Sequence, residues 1–394
     1  MTDRSYLDHA ATTRMLPAAR LRWLEVSELV GNPSSLHDSG RRVRRIVEEA
    51  RESIAADLYT RPSAVIFTSG GTEADNLAVK GLFWTGESAG NTGVIASAIE
   101  HHAVLDPVNW LAEHEAARVV WAPVDGVGRV VLAPMEQALA EGGIAVCTVM
   151  WANNEVGTVQ PVHELADMCR SYGVPFHTDA VQVLGQLHMD LSELGATAVT
   201  ISGHKVGGPF GVGALILDPD VKPTPVLHGG GHEREIRSGT LDAAAISAFA
   251  VAVHDSVMNQ VNFAARVRVL RNDLVLRVLE AVPSARLNGD PDLLGNDRLP
   301  ANAHFTFDGC EGDALLLLLD AAGVDCSTGS ACTAGIPEPS HVLLAMGAEA
   351  QASRGSLRFS LGRETNTSDI DRLLAALPGA VERATRAGAV RSRA

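Results

Sequence analysis

The chain has 394 residues, of which 46% are hydrophobic and 20% charged, and a formal net charge of −15. That length suits a large core plus a smaller one. The acidic balance excludes a nucleic-acid binder that relies on phosphate contacts, because the overall field repels a polyanion. The longest apolar stretches, such as Ala314 to Leu319, fall far short of the ~20 residues a membrane span needs. Met1 to His9 lacks the basic start and apolar run of a secretory signal. The five cysteines, Cys147, Cys169, Cys310, Cys326 and Cys332, are odd in number and widely spaced, with no C-x-x-C pair. A disulfide framework and a structural zinc site are therefore not expected. The expectation is a cytoplasmic protein that contacts neither nucleic acid nor membrane.

In chain order, Arg41, Arg42, Arg44 and Arg45 read first as a solvated helix face, with Arg44–Glu48 and Arg45–Glu49 paired four apart. Strands are predicted at Val65–Thr68, Val94–Ser97, Val119–Val124, Ala145–Met150, Pro175–Thr178, Ala198–Ser202 and Ala214–Leu217. Amphipathic helices such as Thr72–Thr85 and Val162–Tyr172 lie between them. The alternation predicts an α/β fold, a mainly parallel sheet covered by helices on both faces. After Thr240 the texture changes. Leu241 to Ala281 reads as one long helix, followed by a Pro/Gly/Asn-rich stretch from Pro283 to Asn302. A strand at His304–Asp308, a helix at Asp313–Ala322, a strand near Ser356–Leu361 and a last helix capped by Ser368 complete an α+β second domain. The domain boundary falls inside the long helix. The basic end, Arg383, Arg386, Arg391 and Arg393, reads as a docking tail or a frayed terminus.

Six segments carry candidate chemistry. Thr68 to Asn76 reads as strand, glycine turn and helix start, a phosphate site or an ordinary capped turn. Ser202-Gly-His-Lys205 places a lysine after a strand end, suited to a Schiff base with a pyridoxal-type cofactor or simply a surface lysine in a flexible loop. Asp179 ends an apolar strand where ligands of α/β sheets bind; it can face a pyridine nitrogen or cap the next helix. Adjacent His101 and His102 point different ways and cannot easily chelate one ion. His228 to Thr240 holds histidines and a glutamate without metal-binding spacing. Cys332 lies in a run of small residues, glycine and proline that reads as a mobile loop, so its thiol could reach a substrate. Cys326 ends an apolar run and reads as an inert buried thiol.

The order of these segments resembles the cysteine desulfurases of the NifS/IscS type, in the aminotransferase class V family of fold-type I pyridoxal-phosphate enzymes. The resemblance runs nearly end to end. It rests on Tyr6-Leu-Asp-His-Ala-Ala-Thr-Thr13, Gly31-Asn-Pro-Ser-Ser35, the Thr-Ser-Gly-Gly-Thr-Glu turn, Glu-His-His-Ala-Val and Asn153-Asn-Glu-Val-Gly157. It continues through His-Thr-Asp-Ala, Ser-Gly-His-Lys, Arg-Ser-Gly-Thr, Gly-Ser-Ala-Cys and Leu357-Arg-Phe-Ser-Leu-Gly362.

The resemblance implies pyridoxal 5′-phosphate as cofactor, bonded to Lys205, with Asp179 at the pyridine nitrogen and Gln182 at the phenolic oxygen. It implies Gly71, Thr72, Ser202 and His204 at the phosphate, and Thr240 at the phosphate of a neighbouring subunit, hence a homodimer. His101 would stack on the ring and move protons. Asn154, also at the cofactor, and Arg358 would hold the substrate carboxylate, and Cys332 would receive sulfur from L-cysteine. An iron–sulfur scaffold or another acceptor protein would take that sulfur onward. No resident metal is implied; Cys332 would touch a cluster only transiently. The implied architecture is a large seven-stranded domain over residues 14–258, and a small domain of residues 1–13 and 259–394 that carries the Cys332 loop. Gly71 and Thr328 stand where many relatives have alanine and serine, both small changes. The full-length Cys332 loop favours cysteine over selenocysteine. A selenocysteine lyase or another class V enzyme, and a sulfur-carrier or scaffold protein, are the competing readings.

Overall fold

The computed structural model describes residues 4–329 and 339–391. Its strands are β1 (Ser5–Tyr6), β2 (Val65–Thr68), β3 (Gly93–Ser97), β4 (Arg118–Ala122), β5 (Ile144–Thr148), β6 (Phe176–Asp179), β7 (Ala198–Ser202), β8 (Gly213–Leu217), β9 (Ala285–Asn288), β10 (Asn302–Phe307), β11 (Val324–Asp325) and β12 (Ser356–Ser360). Strands β2 to β8 form a seven-stranded sheet in the order β2-β8-β7-β6-β5-β3-β4. All seven match the strands expected from the sequence, with ends shifted by at most two residues. The run β7 through β4 is parallel. Strand β8 is antiparallel to both its neighbours, so β2 points the same way as the parallel set.

The sheet is buried on both faces, which explains its near-continuous apolar strands. Successive side chains still alternate between two cores. Val65, Phe67, Ile95, Val199 and Ile201 face one layer, which includes Val47, Ile54, Ile246 and Phe249. Ile66, Val94, Ala96 and Ala198 face the other, where Leu77, Ala78, Leu82 and Phe83 of the Gly71–Glu87 helix pack.

A separate core forms around the antiparallel sheet β12-β10-β9. Phe305, Phe307 and Phe359 meet Leu274, Val278, Leu315, Leu373 and Leu377 there, and Leu7 joins them from the N-terminal end. Strand β1 pairs in parallel with β11 beside it.

Three local expectations are corrected. The long helix is two helices, Ala243–Met258 and Gln260–Ala281, meeting at Asn259. The Asn259 amide donates to the Asp255 carbonyl at 2.9 Å, a local hydrogen bond of the kind that competes with helix continuation. Ser368 is not the cap of the last helix, Thr367–Arg391; Asn366 Oδ1 accepts its N–H at 2.9 Å. Arg45 does pair with Glu49 at 3.8 Å, whereas Arg44 donates to the Pro33 carbonyl and Glu48 pairs with Arg51 at 3.1 Å. No helix among the described residues is long and apolar enough to cross a membrane.

Phe305 is fully buried, with its ring centroid 6.1 Å from those of both Phe307 and Phe359. Phe305→Ala should therefore lower the unfolding free energy of this core by about 3–5 kcal/mol, read from urea denaturation. A midpoint unchanged from wild type would show that the three-phenylalanine stack does not carry that core.

Candidate active site

The strands β2, β3, β5, β6 and β7 all end on one edge, and the loops leaving that edge bring the chemistry together. A cavity of about 230 Å³ there is lined by Gly71, Thr72, Asp75, His101, Asn154, Asp179, Gln182, Ser202, His204 and Lys205, among others. Nine of these ten were singled out from the sequence; Asp75 was not.

Each side chain has a structural reason for its place. Gly70, at φ +143°, turns the chain from β2 into the Gly71–Glu87 helix, a backbone angle that favours glycine. The first N–H groups of that helix have no intrahelical acceptor, and Gly71 and Thr72 at its start line the cavity. A side chain at position 71 would press on Val181 Cγ2 at 3.2 Å, so glycine keeps the backbone accessible. His101 is the N-cap of the His102–His114 helix; its Nδ1 accepts the Ala103 N–H at 3.1 Å. The proton of the neutral ring therefore sits on Nε2. Burial, reinforced by the nearby Lys205 charge, lowers the His101 pKa to about 4, so the ring is neutral at physiological pH.

Lys205 ends the turn that follows β7. Its Nζ donates to the carbonyl oxygens of Ala10 at 2.6 Å and Ala11 at 2.8 Å. Burial, aided by the Arg358 charge and opposed by Asp179 and Asp8, lowers its pKa to about 8. Asp179 closes β6, and its Oδ1 accepts the Val181 N–H at 2.8 Å. Burial raises its carboxyl to about 6 against the pull of Lys205. Gln182 Nε2 donates to the same Ala10 carbonyl at 3.0 Å. His204 stacks on Phe210 and shares a 3.2 Å hydrogen bond with Thr12 Oγ1.

Arg358, on β12, stands behind this cavity rather than in its lining. It is 4% exposed; Nη1 donates to the Asn154 carbonyl at 3.0 Å and Nη2 to Asp8 Oδ1 at 2.7 Å, while the buried Nε has no partner. Thr240 is exposed and outside the cavity of its own chain. Cys332 lies outside the described residues. Cys326 is buried, and burial pushes its thiol up to about 12, a poor nucleophile at neutral pH. Glu233 serves an ion pair with Arg51 at 2.7 Å. No group of three or more His, Cys, Asp or Glu among the described residues could hold a metal ion.

Sequence reasoning gave no role to two buried carboxylates at the site, Asp75 and Glu100, nor to the half-buried Asp8. Asp75 is 1% exposed, lies 3.5 Å from His177 Nε2 and has an Oδ1 without a hydrogen bond. Its spacing of four from Gly71 places it one helical turn below the phosphate-type N-terminus, a signal that was present. Glu100 Oε1 accepts the Met150 N–H at 2.7 Å. Asp8 pairs with Arg358 and adds its charge beside Lys205.

A lysine amine, a carboxylate and an open helix N-terminus around one cavity suit a cofactor that carries an aldehyde, a basic ring nitrogen and a phosphate. Such a set at the carboxyl edge of a mainly parallel sheet defines a pyridoxal-phosphate enzyme of fold type I. The chain belongs to the aminotransferase class-V family, whose pattern matches residues 5–373. It is 53% identical over 386 residues to an IscS-like cysteine desulfurase of Mycobacterium tuberculosis, covering 97% of this chain and 98% of that one. It is 39% identical to a cysteine desulfurase IscS of Clostridium botulinum, over 96% and 94% of the two chains. Among solved structures, a NifS-like protein from Rickettsia africae superposes with a TM-score of 0.86 at 30% identity, covering 96% and 99%. The family uses pyridoxal phosphate, and the residues of the cavity fit it.

The Lys205 amine must shed its proton before it can attack an aldehyde. With its pKa lowered to about 8, uptake of added pyridoxal phosphate by cofactor-free protein should accelerate as pH rises from 6 and level off above about 8. Stopped-flow absorbance across that range checks this. A rate still climbing steeply beyond pH 9 would mean that the amine is not desolvated as described.

Proposed function

We propose that the protein is a cysteine desulfurase, taking sulfur from L-cysteine and leaving alanine and a persulfide on Cys332. The observation that carries the reading is the cavity that gathers Lys205, Asp179, His101 and the start of the Gly71–Glu87 helix, with Arg358 behind it. The relatives named above, matched along nearly their whole length, support the same reading.

Gly71, Thr72, Ser202 and His204 would hold the phosphate, Asp179 would pair with the ring nitrogen and Gln182 with the ring oxygen. Once bound, pyridoxal phosphate supplies an electron sink conjugated to the substrate carbons. Lys205 moves the proton at the substrate α-carbon. The Arg358 guanidinium, with Asn154, binds the substrate carboxylate, and Asp8 keeps that guanidinium oriented. His101, neutral with its proton on Nε2, exchanges protons at the thiol. The Cys332 thiolate attacks the substrate sulfur: a sulfur–sulfur bond forms as the carbon–sulfur bond breaks, and the carbon takes a proton to leave as alanine.

Residues 14–258 act as the cofactor domain, and residues 1–13 and 259–394 as the second domain, which contributes Arg358 and Cys332. The active unit is a homodimer in which Thr240 completes the phosphate site of the partner. An acceptor protein, such as an iron–sulfur scaffold, removes the persulfide sulfur.

The test is a single turnover with L-cysteine, with mass spectrometry of the Cys332 peptide. One extra sulfur and one alanine per site are expected for wild type. Cys332→Ser should retain the cofactor and its absorbance response to cysteine, yet form almost no alanine. Persulfide on Cys326, or normal alanine release by Cys332→Ser, would refute the assignment.

Arg358→Ala should raise the Michaelis constant for cysteine by more than tenfold, since losing a charge-assisted pair costs about 1.5–3 kcal/mol. Cofactor content should not change. A Michaelis constant equal to wild type would place the carboxylate elsewhere.

A further inference from the structure

Glu155 is a buried carboxylate, 2% exposed, that does not line the cofactor cavity. It belongs to the turn Asn153–Gly157, which is held tightly. Asn153 Oδ1 accepts the N–H groups of Glu155 and Val156, both at 2.9 Å, and Asn153 Nδ2 donates to the Ile99 carbonyl at 3.0 Å. The neighbouring residue, Asn154, faces the cavity with its side chain and accepts from Arg358 through its carbonyl. Glu155 points the other way. Its Oε2 accepts the Ser340 hydroxyl at 2.5 Å. Ser340 is itself buried and caps the His341–Ala345 helix through the Leu343 N–H.

The same carboxylate reaches a second piece of chain. Gly329 has φ +86°, and a Cβ built on it would lie 3.2 Å from Glu155 Oε2 and 3.2 Å from His304 Nε2. Gly329 is itself fixed, its N–H donating to Ser327 Oγ at 3.0 Å. Ser327 in turn exchanges backbone hydrogen bonds with Arg358, at 3.2 and 2.7 Å. Glu155 thus stands between position 329 and position 340, the two points where the chain enters and leaves the segment bearing Cys332. A buried carboxylate left without donors is costly, so the hydrogen bond constrains position 340, while at position 329 the carboxylate crowds the space beside a left-handed glycine. Burial raises the carboxyl above its ordinary range, with the Ser340 hydrogen bond and the nearby His341 and Arg358 pulling it back.

We propose that Glu155 is a positioning residue for sulfur transfer, holding the Ser340 end of the Cys332 segment through the hydroxyl it accepts, beside Gly329 at the other end, relative to Asn154 and Arg358. One turn then bears both on the groups proposed to hold substrate and on the chain at position 340, just beyond the Cys332 segment. The inference rests on the desulfurase reading, because it assigns the thiol of that segment a role.

The experiment compares Ser340→Ala, Glu155→Ala and Glu155→Gln with wild type and with Cys332→Ser, all as holoproteins. Cofactor content and melting temperature monitor folding. The absorbance response on mixing with L-cysteine reads substrate engagement, and alanine formed in a single turnover reads sulfur transfer. Ser340→Ala and Glu155→Ala should engage cysteine at the wild-type rate and half-saturating concentration, while alanine formation slows by about tenfold or more. Glu155→Gln should recover most of that loss, because the carboxamide oxygen still accepts from Ser340. Equal slowing of both steps, or of neither, overturns the proposal. If Glu155→Ala does not fold, Ser340→Ala decides alone, since it removes one hydroxyl and leaves the carboxylate in place. Normal alanine formation by Cys332→Ser would instead bring down the desulfurase reading, an outcome the Glu155 and Ser340 variants cannot mimic.

Discussion

Lys205 and Asp179 are both withdrawn from water at the carboxyl edge of the sheet, and each makes the other's burial tolerable. Desolvation alone favours a neutral amine and a neutral acid. Asp179 and Asp8 pull the lysine back up toward about 8, and the Val181 N–H and the Lys205 charge pull the acid back down toward about 6. Around them the other groups are pushed toward neutrality. Burial and the Asp179 charge hold Asp75 and Glu100 well above the ordinary carboxylate range. Burial lowers the His177 pKa to about 3. Of these buried carboxyls, Asp179, at the end of β6, is the one whose ionised form the Val181 N–H and the Lys205 charge favour. A site with one favoured anion is oriented electrostatically before any ligand arrives.

The second constraint is that the site is built from both cores. Leu7 is buried with the phenylalanines of β10 and β12, yet three residues later Ala10 offers its carbonyl to Lys205 and Gln182. Asp8, between them, pairs with Arg358 of β12. Arg358 then donates to Asn154 on the loop after β5. A shift of the smaller core relative to the sheet would therefore disturb the lysine's acceptors and the guanidinium together. Arg298 adds to the same coupling: wholly buried, it donates to the carbonyls of Val156, Asn288 and Asp290 and so ties the Asn153–Gly157 turn to β9.

What the sequence disclosed follows from what local pattern can encode. Buried parallel strands are short apolar runs punctuated by turns, so β2 to β8 were all legible, as was the edge where their loops gather. The break at Asn259 was not, because both flanking helices keep apolar residues at helical spacing and only a side-chain hydrogen bond marks the join. The motif lysine, aspartate and histidines were legible because strand ends and glycine turns flag them. Asp75, Glu100 and Glu155 were quoted inside motifs but given no role. A carboxylate reads as a surface residue until its neighbours are known, and those neighbours are remote in sequence: Asp179 for Asp75, Met150 for Glu100, Ser340 for Glu155. Thr240 was singled out for a role that a single chain does not exhibit.

The loop that carries Thr240 shows how local strain and site geometry are joined. Glu233, Arg234 and Glu235 have φ values of 44°, 60° and 63°, three consecutive left-handed residues of which none is glycine. Such a run costs on the order of 1–2 kcal/mol per residue and persists only where surroundings over-determine it. Here they do. Glu233 accepts the Phe67 N–H of β2 at 2.7 Å and two donors of Arg51, which lies over the Phe67 ring. Arg234 donates to the carbonyls of Ser63 and Pro219. Two residues beyond the strained run, Arg237 pairs with Glu73 at 2.7 Å, and Glu73 also accepts the Ser69 N–H at 2.7 Å. Glu73 stands in the first turn of the Gly71–Glu87 helix. The start of the Gly71–Glu87 helix, which lines the cavity, and the backbone that leads to Thr240 are therefore tied to each other by one ion pair.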